Sequence, residues 1–232
     1  MSESVAKEPR IACVIPALNA APTVGDVISG LRVSLHAPLV IVVDDGSSDD
    51  TGAVAQTNAD VTVRFRRNRG KGAALRAGFR VAVHEGADVV VTIDADGQHD
   101  PRFAPALVQT VGGADLVIGA RDRRSSTMPP GRRLTNRLSA AAVAKCIRRE
   151  VADAQSGFRA MRAQVAANVK PRGNRYEFET ELLILAAHAG YRIAFVPIPT
   201  IYTTQVPSQF RAIRDSVRIV GTLWRFGIGA GR

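Results

Sequence analysis

Cysteine is scarce in this 232-residue chain: there are two, Cys13 and Cys146, far apart in sequence. Isolated thiols supply neither a disulfide framework nor the close pairs of a zinc site, so the fold must rest on its core, and a reducing, cytoplasmic setting is expected. Long apolar runs are missing too. No stretch approaches the ~18–20 residues that cross a bilayer, and Met1–Arg10 is polar with charges of both signs, unlike a secretory signal. Acid is in deficit: 21 Asp and Glu face 31 Lys and Arg, a formal net charge of +10. Such an excess calls for an anionic partner, whether nucleotide phosphates, nucleic acid or a lipid surface. Nucleic acid fits poorly, because aromatics make up 5% of the chain and offer few stacking platforms, and no nucleic-acid motif is present.

What the chain does have is alternation. Ile11–Pro16, Leu39–Val43, Ala87–Ile93 and Leu116–Ile118 are short, β-branched apolar runs, the pattern of strands buried on both faces. Between them, Thr23–Leu35, Asp49–Thr57, Gly72–His84 and Pro101–Val111 suit helices. Alternating strands and helices predict one α/β domain with a mostly parallel, doubly wound sheet, whose ligands bind beyond the carboxyl ends of the strands. After this, Arg121–Arg133 reads as a basic loop with Pro129, Pro130 and Gly131. Helices are expected at about Leu134–Arg149 and Glu177–Ala189, an edge strand within Tyr191–Tyr202, limited by Pro197 and Pro199, and a last helix at about Ser208–Phe226.

Three strand ends carry chemistry. Thr92-Ile93-Asp94-Ala95-Asp96-Gly97-Gln98-His99-Asp100-Pro101 sets two carboxylates one residue apart after a buried strand. They suit either a hard cation shared with substrate phosphates or a solvated acidic turn that caps the next helix. Val43-Asp44-Asp45-Gly46-Ser47-Ser48-Asp49-Asp50-Thr51 offers Asp44 to base or ribose hydroxyls, with Ser48 or Asp49 capping the next helix. Arg69-Gly70-Lys71-Gly72 lets a helix N-terminus approach a ligand closely, with Lys71 adding charge. It is not a P-loop, and no G-x-G-x-x-G follows a strand, which removes the familiar ATPase and dinucleotide-dehydrogenase readings. His36, His84, His99 and His188 have no metal-ligand spacing.

Taken in order, seven segments resemble the family 2 glycosyltransferases of GT-A fold: Ile15–Asn19, Val43–Thr51, Asn68–Gly78, Asp94–Pro101, Gly119–Arg121, Asp153–Arg159 and Glu177–Leu183. The last two are similar to the branch that glycosylates dolichyl or other polyprenyl phosphates. The resemblance runs from about Ile11 to Val220. It implies a Rossmann-like sheet with helices on both faces over residues 11–206, a flexible segment 1–10 and a C-terminal basic helix at 207–232. It also implies a hexose donor of GDP-mannose or UDP-glucose type and a polyprenyl-phosphate acceptor. Pro16, Ala17, Asn19, Asp44, Asp45, Lys71 and Ala95 would then lie at the nucleotide sugar. Asp94, Asp96 and Gln98 would hold Mg2+ or Mn2+, and Arg121, Arg132, Arg133, Gln155, Gln209 and Arg211 would meet phosphates of donor or acceptor. The chain departs from the family at Leu18, Ala20, Thr203 and Gln209, where many relatives carry Tyr, Glu and basic residues, and Arg211 is the candidate substitute.

An acceptor phosphate is already anionic and needs orientation more than deprotonation, so in-line attack would invert the anomeric carbon. An alcohol acceptor would need a base, for which Asp153 is the candidate. Glu177–Glu181 is expected to be scaffold for nearby arginines. The alternatives are a family 2 transferase with a soluble alcohol acceptor, or an inactive protein that binds a membrane surface. Phe210, Ile213, Val217, Val220 and Trp224 form an apolar stripe flanked by Arg211, Arg214, Arg218 and Arg225, the pattern of a helix lying in an anionic interface. The protein is expected to bind vesicles containing anionic lipid and to leave them as salt is raised, measured by co-sedimentation; binding indifferent to both lipid charge and salt would contradict this peripheral role on the cytoplasmic leaflet.

Overall fold

In the computed structural model of the chain, residues 8–121, 130–199 and 201 are described, with 130–138 as backbone only. Seven strands form one sheet: β1 (Ile11–Ala17), β2 (Leu39–Asp44), β3 (Val61–Arg64), β4 (Val89–Thr92), β5 (Leu116–Arg121), β6 (Arg159–Arg162) and β7 (Ile193–Ile198), in spatial order β3-β2-β1-β4-β6-β5-β7. Only β6 runs against its neighbours, with Thr92 opposite Arg159 on one side and Ile118 opposite Arg159 on the other. The helices are α1 (Ala21–Ser34), α2 (Thr51–Asn58), α3 (Lys71–His84), α4 (Ala104–Thr110), α5 (Pro130–Ile147), α6 (Ala163–Asn168) and α7 (Glu177–His188), with a 3-10 turn at Pro101–Phe103 ahead of α4.

The apolar runs show why the sheet is covered twice. Along β1 and β2, Ala12, Val14, Ile41 and Val43 pack with α3, α5, α6 and α7. Their alternates Cys13, Ile15, Val40 and Val42 pack with α1 and α4 on the other face. Strand periodicity sends successive side chains to opposite faces, so a strand buried on both must be apolar throughout. Burial pushes the Cys13 thiol up to about 12, which keeps it inert.

The strands and helices expected within the described residues are present, with three additions. β3, β6 and α6 carry little apolar signal; β3 and β6 end in arginines, and α6 spans six residues. One boundary moves further: α5 begins at Pro130, so Arg132 and Arg133 belong to its first turn and not to a loop. Pro at the first helical position starts a helix readily because the missing N–H has no intrahelical partner there anyway. β7 is the edge strand its prolines demand. Among the described residues no helix is long and apolar enough to cross a membrane. Residues 1–7 and 122–129, the expected helix at 207–232, and Thr203, Gln209 and Arg211 lie outside the described residues.

Helix α3 approaches β1 so closely that a Cβ at Gly78 would sit 2.2 Å from Val14 Cγ1. Valine has no flexible end to move aside, so the contact is repaired only by shifting helix or strand. Gly78→Ala is expected to lower stability by about 1–3 kcal/mol, despite the ~1 kcal/mol that Ala gains in helix propensity. The urea midpoint measures it, and an unchanged or higher midpoint would contradict the packing.

Candidate active site

The carboxyl ends of β1, β2, β4 and β5 meet the amino end of β6 at one edge of the sheet, as doubly wound folds require. The loops after β1 and β2 are latched together first. Asn19 adopts a left-handed φ of 50°. Its N–H donates to Ser47 Oγ at 3.0 Å, and its Oδ1 accepts from Ser48 N at 2.9 Å. The N-cap of α2 is Asp50, without a side-chain bond, in place of the expected Ser48 or Asp49; Asp49 accepts from Thr51 N at the start of α2 and from Ala21 N at the start of α1. Pro16 and Ala17 are buried at the end of β1.

Several of the expected ligand residues have internal partners. Asp44 is fully buried: Oδ1 accepts from Ser47 N at 2.8 Å and Oδ2 lies 3.1 Å from Arg64 Nε. It shapes the Gly46–Ser47 turn. Asp45 accepts from Arg69 N at 2.7 Å and Gly70 N at 2.8 Å, which tempers the rise in pKa that its burial causes. The close approach permitted by Gly70 (φ +97°) and Gly72 is to the chain itself: added Cβ atoms would lie 2.2 Å from the Asn174 carbonyl oxygen and 2.4 Å from that of Gly173. The N-terminus of α3 is thereby packed against the loop before α7. Ala95 is buried, and its carbonyl accepts from Thr23 Oγ1 at 2.6 Å, fastening the segment after β4 to α1.

Lys71, expected at the donor, instead bridges two acids. Its Nζ is 2.6 Å from Asp94 Oδ1 and 2.6 Å from Glu179 Oε1, and 5.6 Å from the centre of the Tyr176 ring. Burial opposes its charge, but the two carboxylates outweigh burial and raise its pKa. In the same way burial would raise the Asp94 pKa, and Lys71 holds it below the usual range. The other Asp94 oxygen packs over Gly157, where a Cβ would come within 2.4 Å.

Arg121 and Asp153 form a fork: Nε to Oδ2 at 2.7 Å and an Nη to Oδ1 at 3.0 Å. Asp153 also accepts from Gln155 N at 2.9 Å and Ser156 N at 3.1 Å. Against its burial, these contacts hold it below the usual carboxylate range. The Gln155 side chain donates to Ser139 Oγ in α5 at 3.3 Å. Arg132 and Arg133 take their places on the first turn of that helix.

Sequence reasoning gave no role to Arg159 or His99 here and took Glu179 as scaffold. Arg159 is 1% exposed and donates to the carbonyls of Ser156, Ala154 and Glu179. Glu179 is paired with Lys71, whereas Glu177 and Glu181 receive backbone amides: Arg172 and Gly173 for Glu181, Asn174 and Arg175 for Glu177. The trio is scaffold, as expected, but for the loop backbone and a lysine. His99 stacks at 5.6 Å on Phe158; burial pushes it down to about 4, and Nδ1 has no hydrogen-bond partner among the described residues. An acidic triplet separated by two residues was the available signal for Glu179; nothing local marks Arg159 as buried.

Among the described residues no three His, Cys, Asp or Glu side chains are grouped to hold a metal. A set of two carboxylates and an amide nevertheless fits Mg2+ or Mn2+, which take one or two protein carboxylates and complete their shell with water and substrate phosphates. Charge balance favours this set. Asp94, Asp96, Asp153 and Glu179 face Lys71, Arg121 and the buried Arg159, which leaves one negative charge over, and Asp96 forms no ion pair among the described residues. Burial, and then Asp94, push Asp96 up to about 6, while one oxygen accepts from Gln98 N at 3.0 Å. An oxygen site with a surplus negative charge suits a divalent cation shared with substrate phosphates.

Comparison with known proteins identifies the family. Residues 12–169 match the sequence profile of Glycosyl transferase family 2. The chain is 33% identical over 200 residues to an undecaprenyl-phosphate mannosyltransferase of Micrococcus luteus, covering 82% of each chain. It is 32% identical over 202 residues to a polyprenol monophosphomannose synthase of Mycolicibacterium smegmatis, covering 82% of this chain and 76% of the relative. A crystal structure of glucosyl-3-phosphoglycerate synthase from Mycobacterium tuberculosis, in complex with Mn2+, UDP and glucosyl-3-phosphoglycerate, superposes with a TM-score of 0.73 at 26% identity. That match covers 95% of this chain and 81% of the other. With a GT-A α/β sheet and a matched region that includes every strand end of the site up to β6, the chain belongs to glycosyl transferase family 2.

Proposed function

We propose that this enzyme transfers a hexose from a nucleotide sugar, of GDP-mannose or UDP-glucose type, to the phosphate of a polyprenyl phosphate, inverting the anomeric carbon. The observation that carries this reading is the state of Asp153. Both of its oxygens are engaged by Arg121 and two backbone amides, and it is held ionised. A carboxylate so satisfied is a poor proton acceptor, and His99, at about 4, is a weak one. A hydroxyl acceptor would need a base; a phosphate arrives as the nucleophile. The names of the two curated relatives, an undecaprenyl-phosphate mannosyltransferase and a polyprenol monophosphomannose synthase, support the same class.

Within this reading Asp94, Asp96 and Gln98 would hold Mg2+ or Mn2+, which when bound supplies Lewis-acid stabilisation of the departing diphosphate. Asp153 fixes the guanidinium plane of Arg121, giving a preorganised positive charge at the end of β5 that costs no reorganisation during reaction. Arg132, Arg133, Gln155, Gln209 and Arg211 are our candidates for the acceptor side. A lipid acceptor puts the enzyme at the cytoplasmic face of the membrane, with residues 207–232 as its contact.

Transfer assays with GDP-mannose and UDP-glucose should show product with a polyprenyl phosphate and none with the corresponding free polyprenol. Equal use of the alcohol would overturn the proposal in favour of a base-dependent acceptor site. Calorimetry should show one of GDP or UDP binding in a manner that needs Mn2+, and Asp96→Ala should weaken it roughly a hundredfold or more.

The cation reading also has a sign in stability. Asp96 holds its proton more tightly in the folded chain than in the unfolded one, so its contribution is greatest below about 4 and is lost as pH rises through about 6. Without added metal, Asp96→Asn should therefore melt above wild type at pH 7.5, and the difference should shrink as pH falls towards 4. Saturating Mn2+ and nucleotide should reverse the order at pH 7.5. A variant less stable than wild type in metal-free buffer would contradict the surplus of charge.

A further inference from the structure

We propose that Lys71 competes with the divalent cation for Asp94, and that Glu179 is the alternative seat that draws the ammonium away. This rests on the cation site proposed above. The geometry is that of a shared proton-bearing cation: Nζ stands 2.6 Å from each acid, on α3 between the segment after β4 and the first turn of α7. Lys71 is 16% exposed and Glu179 3%, so solvent screens the triad little. A lysine serving only to neutralise Asp94 would need no second carboxylate. Burying a second one is costly unless cations offset it; Glu179 lies near the buried Arg159, whose guanidinium bonds its carbonyl, but the cation in direct contact with its carboxylate is Lys71.

The arrangement gives Lys71 two stable positions at nearly the same place. Resting on Asp94, it withdraws that carboxylate from the cation. Resting on Glu179 and the Tyr176 ring face 5.6 Å away, it leaves Asp94 to act beside Asp96. The other wall is close: both Asp94 oxygens lie over Gly157, and the one in contact with Lys71, and so contested, is Oδ1. The lysine thus sets cation affinity from within the protein, and Glu179, which need not touch the cation or substrate, is a positioning residue acting through Lys71.

The test is a Mn2+ titration followed by electron paramagnetic resonance of the full chain, in the presence of whichever of GDP or UDP the wild type binds. Lys71→Met should tighten Mn2+ binding roughly tenfold, because Asp94 is released; Glu179→Gln should weaken it by a similar factor, because the lysine then rests on Asp94 alone. The double variant Lys71→Met with Glu179→Gln leaves no buried glutamate charge behind and should bind as tightly as Lys71→Met or tighter, which covers the case where the single lysine variant does not fold. A purely structural role would weaken binding in both single variants. Shifts of the same sign, or a double variant that binds no tighter than wild type, overturn the proposal while leaving the cation site standing. A wild type that binds no Mn2+ with either nucleotide overturns the cation site and this proposal together.

Discussion

An ionised carboxylate taken out of water costs several kcal/mol unless a cation or a set of N–H groups replaces its hydration. This chain brings Asp44, Asp45, Asp94, Asp96, Asp153, Glu179 and Glu181 to one end of its sheet, nearly all of them at least half-buried, and the architecture there follows from that debt. The turn after β2 is drawn in by Asp44 and Asp45, the loop before α7 is pinned by Glu177 and Glu181, and α3 is bound to α7 through Lys71. Removing one partner from such a pair typically costs 3–5 kcal/mol, so these contacts hold the site's shape as well as its charge.

The same bookkeeping separates acids that serve the fold from those left for chemistry. Where a carboxylate accepts two backbone amides or a forked guanidinium, as Asp45, Asp153 and Glu181 do, its lone pairs are spent. Asp96 accepts one backbone N–H and sits beside another negative charge. A pair of neighbouring acids pushed apart in proton affinity, Asp94 down and Asp96 up, marks a site kept unbalanced until something positive arrives.

Much of this was legible in the sequence. The double-sided strands announce themselves as unbroken β-branched runs, and Asp94, Asp96, Arg121 and Asp153 do come together at their ends. The internal partners of the other site residues were not legible, for one reason. Asp44 looks like a ligand group because an acid at a strand end usually is exposed, yet Arg64, on a strand too polar to foresee, arrives to pair with it. The glycines around Lys71 look like a phosphate cradle because local spacing cannot reveal that residues 173 and 174, a hundred positions away, fill the space. Long-range charge pairing is a property of topology, and only the sheet order brings those partners into contact.

Topology also explains the reversed strand. β6 is inserted between two parallel strands, β4 and β5, and its direction brings the segment 153–158 to their carboxyl ends, when a parallel strand would carry it to the opposite edge. Asp153 thereby reaches Arg121 at the tip of β5, and Gly157 lies against Asp94 after β4. At the turn into β6, Arg159 crosses inward and ties three carbonyls, two of its own segment and one of α7. Its guanidinium costs desolvation but satisfies polar groups that no water reaches. An arginine is suited to this because its planar fork bonds several acceptors at once and keeps its charge when buried. The single antiparallel strand is therefore the device that sets the Arg121 clamp and the Asp94–Asp96 pair side by side on one rigid sheet.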